Sequence, residues 1–397
     1  MKSVVGVYGG SQVAMSKRVA LDEVVCCFQS LEDPRSSINR RHPLTSVVTI
    51  SLMAVLAGAD GPTAIRKWAE AKKDGLMKSL SLPFGLPSKD VFRRVLMALK
   101  PQAFQACFVE WLNVLWANGT STKTGRTVMA IDGKTLRGSH DRAKGLGPLH
   151  LVSLWLTDVG LTLGQVATEA KSNEITAIPE LLKLVDITGA IITIDAMGTQ
   201  TAIARQIIDG GGDYLLSLKR NQSGLHKSAI EHVDAHLDND FAGLKSRRYV
   251  EKKTAHGREE TRTCIQFPVP RELKGRARWK GLRTIGIVIY QSVFQGKETV
   301  EVRYFISSLR MGVKQFARAV RQHWGIETTC HWSLDVTYRE DALRTRHRHL
   351  AENLAWLRRF TLSLLKQHPR KESLAMKRRM CGWNDDFLMQ VLTTTTL

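Results

Sequence analysis

Thr127-Val-Met-Ala-Ile-Asp-Gly-Lys-Thr-Leu-Arg-Gly-Ser139 is the stretch from which the fold can be read. Residues 127–131 form a short, mostly apolar run of the kind that makes a buried strand. The run delivers one carboxylate, Asp132, onto a turn at Gly133, with Lys134 and Arg137 close behind. A lone acid inside a core strand is costly, whereas at a strand's end it can meet solvent, a metal or a cation. The pattern recurs at Ala190-Ile-Ile-Thr-Ile-Asp-Ala-Met-Gly198, where Asp195 ends a second β-branched run. Two strands each ending in Asp point to one shared site at the carboxyl edge of a sheet.

The surrounding segments supply the rest of that sheet. Leu149–Leu156 and Leu161–Thr168, separated by Thr157-Asp-Val-Gly160, read as a hairpin. The spacing predicts a helix over 177–185, with Pro179 tolerable in its first turn, then a strand over 190–195. A helix over 200–209, closed by Gly210-Gly211-Gly212, leads into a strand over 214–218. Strand, hairpin, helix, strand, helix, strand is the order of a ribonuclease H-like α/β core, whose first and fourth strands lie side by side. Such pairing would bring Asp132 and Asp195 together. Carboxylates that close repel unless a cation sits between them, and Mg²⁺ is the hard cation suited to oxygen ligands. The plainer alternative is that each Asp caps the turn after it.

Composition narrows the partner. The 397 residues carry 58 Lys and Arg against 37 Asp and Glu, a formal charge of +21. Such an excess suits a polyanion, nucleic acid first and an acidic membrane surface second. Six cysteines without a Cys-x-x-Cys pair suggest neither a disulfide framework nor a zinc knuckle, so a reducing cytoplasm is the expected compartment. The most apolar window, 44–59, is short and broken by Thr45, Ser46, Thr49 and Ser51; it reads as a buried helix, not a membrane span.

Five regions follow. Residues 1–32 are expected to be poorly ordered, and 33–118 to form a small helical domain whose basic faces could touch DNA. Residues 126–240 and 310–366 would make the core, 241–309 a β-rich basic insertion, and 367–397 a tail beyond the basic helices. Through 245–283 there are thirteen Lys and Arg against four Asp and Glu, as on a surface laid along a phosphate backbone. Lysine protection of edge strands would look similar. Residues 310–379 hold sixteen Lys and Arg against six Asp and Glu. Within them His323, Glu327 and His331 recur at four-residue spacing, which places all three on one helix face. Zinc at His323, Cys330 and His331 lacks a fourth ligand at convincing spacing. Trp324 and Trp332 are expected in the core.

Three motifs in order carry a resemblance. Ala130-Ile-Asp-Gly-Lys-Thr-Leu-Arg-Gly-Ser139 and Ile194-Asp-Ala-Met-Gly-Thr-Gln200 precede His323-Trp-Gly-Ile-Glu327, and His331-Trp-Ser-Leu-Asp-Val-Thr-Tyr-Arg-Glu-Asp341 follows. Together they resemble the insertion-sequence transposases of the Asp-Asp-Glu type, in the branch of the H-repeat-associated proteins. The resemblance runs from Asp33-Pro-Arg35 through Asn353-Leu-Ala-Trp-Leu-Arg358. It implies a catalytic triad of Asp132, Asp195 and Glu327 holding two Mg²⁺ or Mn²⁺ ions, with Asp335, Glu340 and Asp341 as reserve candidates for the third acid. The implied reaction is cleavage at transposon ends and joining of the freed 3′-hydroxyls to target DNA by a homodimer assembled on double-stranded DNA.

The wider family's tyrosine, arginine, glutamate and lysine signature is matched here only at Glu327; Val320, His323 and Leu334 stand at the other positions. Arg321, Arg339, Arg344 and Arg346 are the substitutes for its DNA contacts. Lys134, Arg137 and His323 join them, with Lys219, Asn221 and Gln222 of a basic turn, and His256 and Arg258 of the insertion. Hydrolysis without strand transfer, or a relic that only binds DNA, are the alternative functions.

Overall fold

In a computed structural model, residues 21–22, 24–108, 111–112, 125–168, 174–255 and 257–393 are described. The expectations for residues 1–20 and for His256 lie outside them. Leu21, Val24, Phe28 and Leu31 are buried, so part of the segment before residue 33 packs into the core. Five helices follow: α1 (Leu44–Leu56), α2 (Pro62–Ala71), α3 (Lys73–Ser79), α4 (Lys89–Ala98) and α5 (Pro101–Ala106). Their starts follow local rules. Pro62 and Pro101 open α2 and α5 where no amide partner is needed, and the Ser88 hydroxyl accepts the Val91 amide at the start of α4. All but Thr45 of α1 is buried, as its apolar window predicts, and the Ser51 hydroxyl is satisfied by the Val47 carbonyl at 2.8 Å.

The core begins with β1 (Val128–Leu136), β2 (Leu149–Leu156) and β3 (Leu161–Thr168). Next come α6 (Glu174–Lys183), β4 (Ile191–Ile194), α7 (Thr201–Asp209), β5 (Asp213–Leu218) and α8 (Ser223–Leu237). The basic stretch supplies β6 (Arg247–Ala255), β7 (Arg258–Pro268), β8 (Thr284–Phe294) and β9 (Lys297–Ser307). Helices α9 (Val313–Gly325) and α10 (Trp332–Val336) flank a π-helical turn at Ile326–His331. The chain closes with α11 (Arg348–Gln367), α12 (Leu374–Trp383) and α13 (Asp385–Thr393), so the expected tail is helical and buries Phe387, Leu388, Val391 and Leu392.

Among the described residues nine strands form one sheet, ordered β3-β2-β1-β4-β5-β9-β8-β7-β6. β1 runs parallel to β4, and β4 parallel to β5, while β2 and β3 pair as the expected antiparallel hairpin. The basic strands extend the same sheet, because β9 pairs with β5 from Leu215↔Ser307 to Leu218↔Tyr304. Helices α9 and α11 cover one face, where Val128, Ile191, Phe305 and Phe316 pack together and Leu136, Leu151 and Ala355 form a second cluster. Helices α6 and α7 pack against the other face.

Two local expectations are corrected. β1 does not stop at Asp132: β2 pairs with it as far as Leu136↔Leu149, because the antiparallel partner outlasts the parallel one. Pro179 lies inside α6 rather than in its first turn, since the helix already runs from Glu174. The proline ring there forgoes one intrahelical bond, a cost that burial of Ala177, Ile178, Leu181 and Leu182 offsets.

A buried ionic cluster ties α11 to the chain before it. Glu340 Oε1 lies 3.1 Å from Arg359 Nη1 and 3.6 Å from Arg358 Nη1, all three side chains being at most 3% exposed. Arg358 also donates to the Asp60 carbonyl at 3.0 Å, reaching into the N-terminal helices. Removing one member of a buried ion cluster strands the others' charge, at about 3–5 kcal/mol. Glu340→Ala should therefore lower unfolding stability by about that amount in guanidinium titrations; a loss below about 1 kcal/mol would show that the arginines find other partners.

Candidate active site

The parallel pairing of β1 with β4 ends at Ile131↔Ile194. Asp132 and Asp195, each the next residue, therefore stand at the same level, Asp132 within β1 and Asp195 just past β4. Side chains alternate along a strand, so Asp132 and Lys134 share the face covered by α9 and α11, while Gly133 and Thr135 point to the face of α6. From above, the helix carrying Glu327 lies over both strands.

That helix turns two histidines toward the strands, while the Glu327 side chain is exposed. The Thr193 hydroxyl lies 3.0 Å from His323 Nδ1, and His331 Nδ1 is 3.5 Å from Asp132 Oδ2. Four-residue spacing drifts by about 40° per step on an α-helix. The π turn underwinds the helix between Ile326 and His331 and takes back part of that drift. His323 and His331 thus both reach the strands, with the exposed Glu327 between them in the chain.

The site is also distinctive in its electrostatics. Burial pushes the Asp132 carboxyl from its usual 3.8 up to about 7, and the charges of Glu327, Asp195 and Glu174 push the same way. Burial also lowers His323 to about 4, against the pull of Asp195, and lowers His331 to about 3, helped by Arg359 and Lys134. Both imidazoles are neutral at pH 7, and His331 Nε2 is buried without a partner. Asp195 does cap its own turn: Oδ1 accepts the amides of Met197 at 3.0 Å and Gly198 at 3.2 Å. That leaves its second oxygen for other work. The carboxylate oxygens are the donors that hard divalent cations accept. Among the described residues, however, no three His, Cys, Asp or Glu side chains are gathered closely enough to hold a metal ion as they stand.

The other residues singled out from sequence divide by environment. Lys134 is not free for DNA: only 7% exposed, it is held by Asp335 at 2.7 Å and Asp341 at 3.2 Å. Asp335 and Asp341 are thereby committed to Lys134, and Glu340 to its arginines, so none of them joins the site. Arg137, 81% exposed, keeps a contact to Asp341 at 3.2 Å. Asn221 and Gln222 donate to the carbonyls of Ala196 and Thr199 and so fasten their turn to the Asp195 loop. Lys219 and Arg220 of that turn are exposed on a cleft of about 670 Å³ lined also by Asp195, His226 and Arg303. Arg321, Arg339, Arg344 and Arg346 are exposed, and Arg258 lies over the Phe294 ring at 5.4 Å.

Trp324 and Trp332 are 39% and 57% exposed, not core, because Val313, Phe316, Ala319, Val320, Ile326 and Cys330 already fill the space beneath. Trp324 instead lies 4.1 Å below the Arg303 guanidinium. Two residues near Asp132, Glu174 and His150, gave no signal in the sequence; both are buried and hydrogen-bonded at 2.6 Å.

Residues 123–365 match the family described as transposase DDE domain, and residues 25–112 the one described as DDE_Tnp_1-associated. The chain belongs to the transposase DDE family. Among relatives of this transposase, the "putative transposase YncI" of Escherichia coli O157:H7 is 37% identical over 369 residues, 92% of this chain and 93% of that one. The "H repeat-associated putative transposase YhhI" of Escherichia coli K12 is 36% identical over 373 residues, 92% of this chain and 97% of that one. A solved piggyBac transposase synaptic complex with hairpin DNA matches at TM-score 0.39 and 11% identity, over 96% of this chain and 80% of that chain. Among the described residues no helix of the transposase is long and apolar enough to cross a membrane.

A carboxyl whose folded pKa stands above its unfolded value stabilises the fold at low pH and loses that contribution as pH rises. For Asp132 the loss spans the range from 3.8 to about 7. Thermal melts of the transposase without divalent cations should show the melting temperature falling across that range. Asp132→Asn should flatten the fall, and an unchanged profile would assign the pH dependence to other groups.

Proposed function

We propose that this transposase cuts the ends of an insertion sequence and joins the freed 3′-hydroxyls to target DNA, with Asp132, Asp195 and Glu327 as its catalytic acids. The carrying observation is the register of β1 and β4, which sets Asp132 and Asp195 at one level beneath the helix that carries Glu327. Carboxylates brought to one sheet edge in this way are matched to cations. The chain order of strands and helices supports a ribonuclease H-like core around them.

Mg²⁺ or Mn²⁺, two ions held by these carboxylates, would lower the pKa of an attacking water or hydroxyl and stabilise the leaving oxygen. The chain's own groups do the rest. His323 and His331, kept neutral by burial, add no positive charge that would compete with cations. Asp195 is held in place by the Met197 and Gly198 amides, which fixes its free oxygen relative to β4. Lys219 and Arg220, exposed on the cleft beside Asp195, supply charge for a phosphate backbone entering there. Arg137, Arg321, Arg339, Arg344 and Arg346 extend that field, and Arg258 carries it onto the long strands. Two copies acting together on DNA would engage both ends at once. As a protein acting on chromosomal DNA, it would work in the cytoplasm at the nucleoid.

Supercoiled plasmid carrying the element's terminal repeats, incubated with Mg²⁺, tests the reaction. Nicked and joined products should form with the wild type and vanish with Asp195→Asn and with Glu327→Gln. Nicking without joining would restrict the activity to hydrolysis, and binding without cleavage would leave a DNA-binding relic. For the cleft, Lys219→Ala should lower the slope of log affinity against log salt by about 1, whereas an unchanged slope would remove Lys219 from the DNA path.

A further inference from the structure

Behind Asp132, on the opposite face of the sheet, lies a buried polar chain that the triad does not use. Glu174 opens the described part of α6, and its Oε1 is 2.6 Å from His150 Nε2. His150 Nδ1 is in turn 2.8 Å from the Thr135 hydroxyl of β1. With its proton on Nε2, His150 donates to the carboxylate and accepts from Thr135. The Glu174 and His150 side chains are 4% and 2% exposed, so water does little to screen their charge.

What brings the chain so close is Gly133. A Cβ there would stand 2.3 Å from His150 Nε2 and 2.4 Å from Glu174 Oε1. Without a side chain, β1 is one backbone thick between the Glu174 carboxylate and Asp132 on the next residue. Any other residue at 133 would push the pair away. The Asp-Gly order in β1 is thereby explained: the acid faces α9, and the glycine makes room for a second acid behind it.

We propose that Glu174 is a fourth acid of the centre, a positioning residue whose buried charge, anchored by His150 across Gly133, helps draw divalent cations onto Asp132. The inference rests on the metal-binding reading of Asp132 given above. A negative charge held one backbone thickness away from a ligand carboxylate acts through space and favours its cation-bound state.

Mn²⁺ alone, titrated calorimetrically into the DNA-free full-length protein, is the test, with thermal melts recorded on every variant. Wild type should bind Mn²⁺ and Asp132→Asn should not. Glu174→Gln keeps an acceptor for His150 but removes the charge; it should bind Mn²⁺ roughly 10- to 100-fold more weakly. Glu174→Asp keeps the charge but shortens the reach to His150; it should stay within a few-fold of wild type. A purely structural role predicts the reverse order, Gln tolerated and Asp damaging, and that order would overturn the inference. Wild-type affinity in Glu174→Gln would overturn it too, leaving the triad untouched. Failure of the wild type itself to bind Mn²⁺ through Asp132 would overturn both this inference and the metal-dependent reading beneath it.

Discussion

The parallel pairing of β1 with β4 is the constraint on which the rest depends. Because the β1–β4 pairing ends at Ile131↔Ile194, the two acids that follow stand at one level. A shift of one residue would turn Asp195 to the opposite face and part the two carboxylates. The apolar runs before the acids hold that register: Met129, Ile131, Ile192 and Ile194 are buried against α6 and α7, while Val128 and Ile191 lie under α9. The sheet's packing energy is thus what holds two like charges near each other.

Everything on the covered face then follows from what α9 must do. Its apolar side, Val313, Phe316, Ala319 and Val320, seats it on the sheet. Asp158, in the turn between β2 and β3, receives Arg318 at 2.9 Å and fixes the helix's rotation. The π turn re-aims the chain beyond Gly325 so that Glu327 and His331 stay over β1. Farther along, Asp335 and Asp341 close on Lys134, and Glu340 on Arg358 and Arg359, so this segment is tied by ion pairs to β1 and α11. The Glu340 cluster is the buried one, and a member of it is costly to leave alone.

Much of this was legible in the chain. Apolar runs bounded by turn residues mark β1 to β5 to within a few residues, and the β-rich character of 241–309 likewise, because strand periodicity and β-branching are local properties. Pro62, Pro101 and Ser88 mark helix starts for equally local reasons. The errors have a common cause in tertiary context. Asp132 sits mid-strand because β2 continues past it, Lys134 is buried because a segment two hundred residues away covers it, and Trp332 is exposed because smaller residues fill the core first.

The sequence by itself determined which residues could serve: three acids each set in a distinctive motif, a basic surface, and runs apolar enough to build a sheet. Only the tertiary structure decided which charges are available. It pairs Lys134 with Asp335 and Asp341, and Glu340 with Arg358 and Arg359, and leaves Lys219 and Arg220 beside Asp195. It also sets Glu174 and His150 behind Asp132, a neighbourhood made by a glycine's missing side chain. Charge pairing and close approach act between residues far apart in the chain, so no local pattern records them.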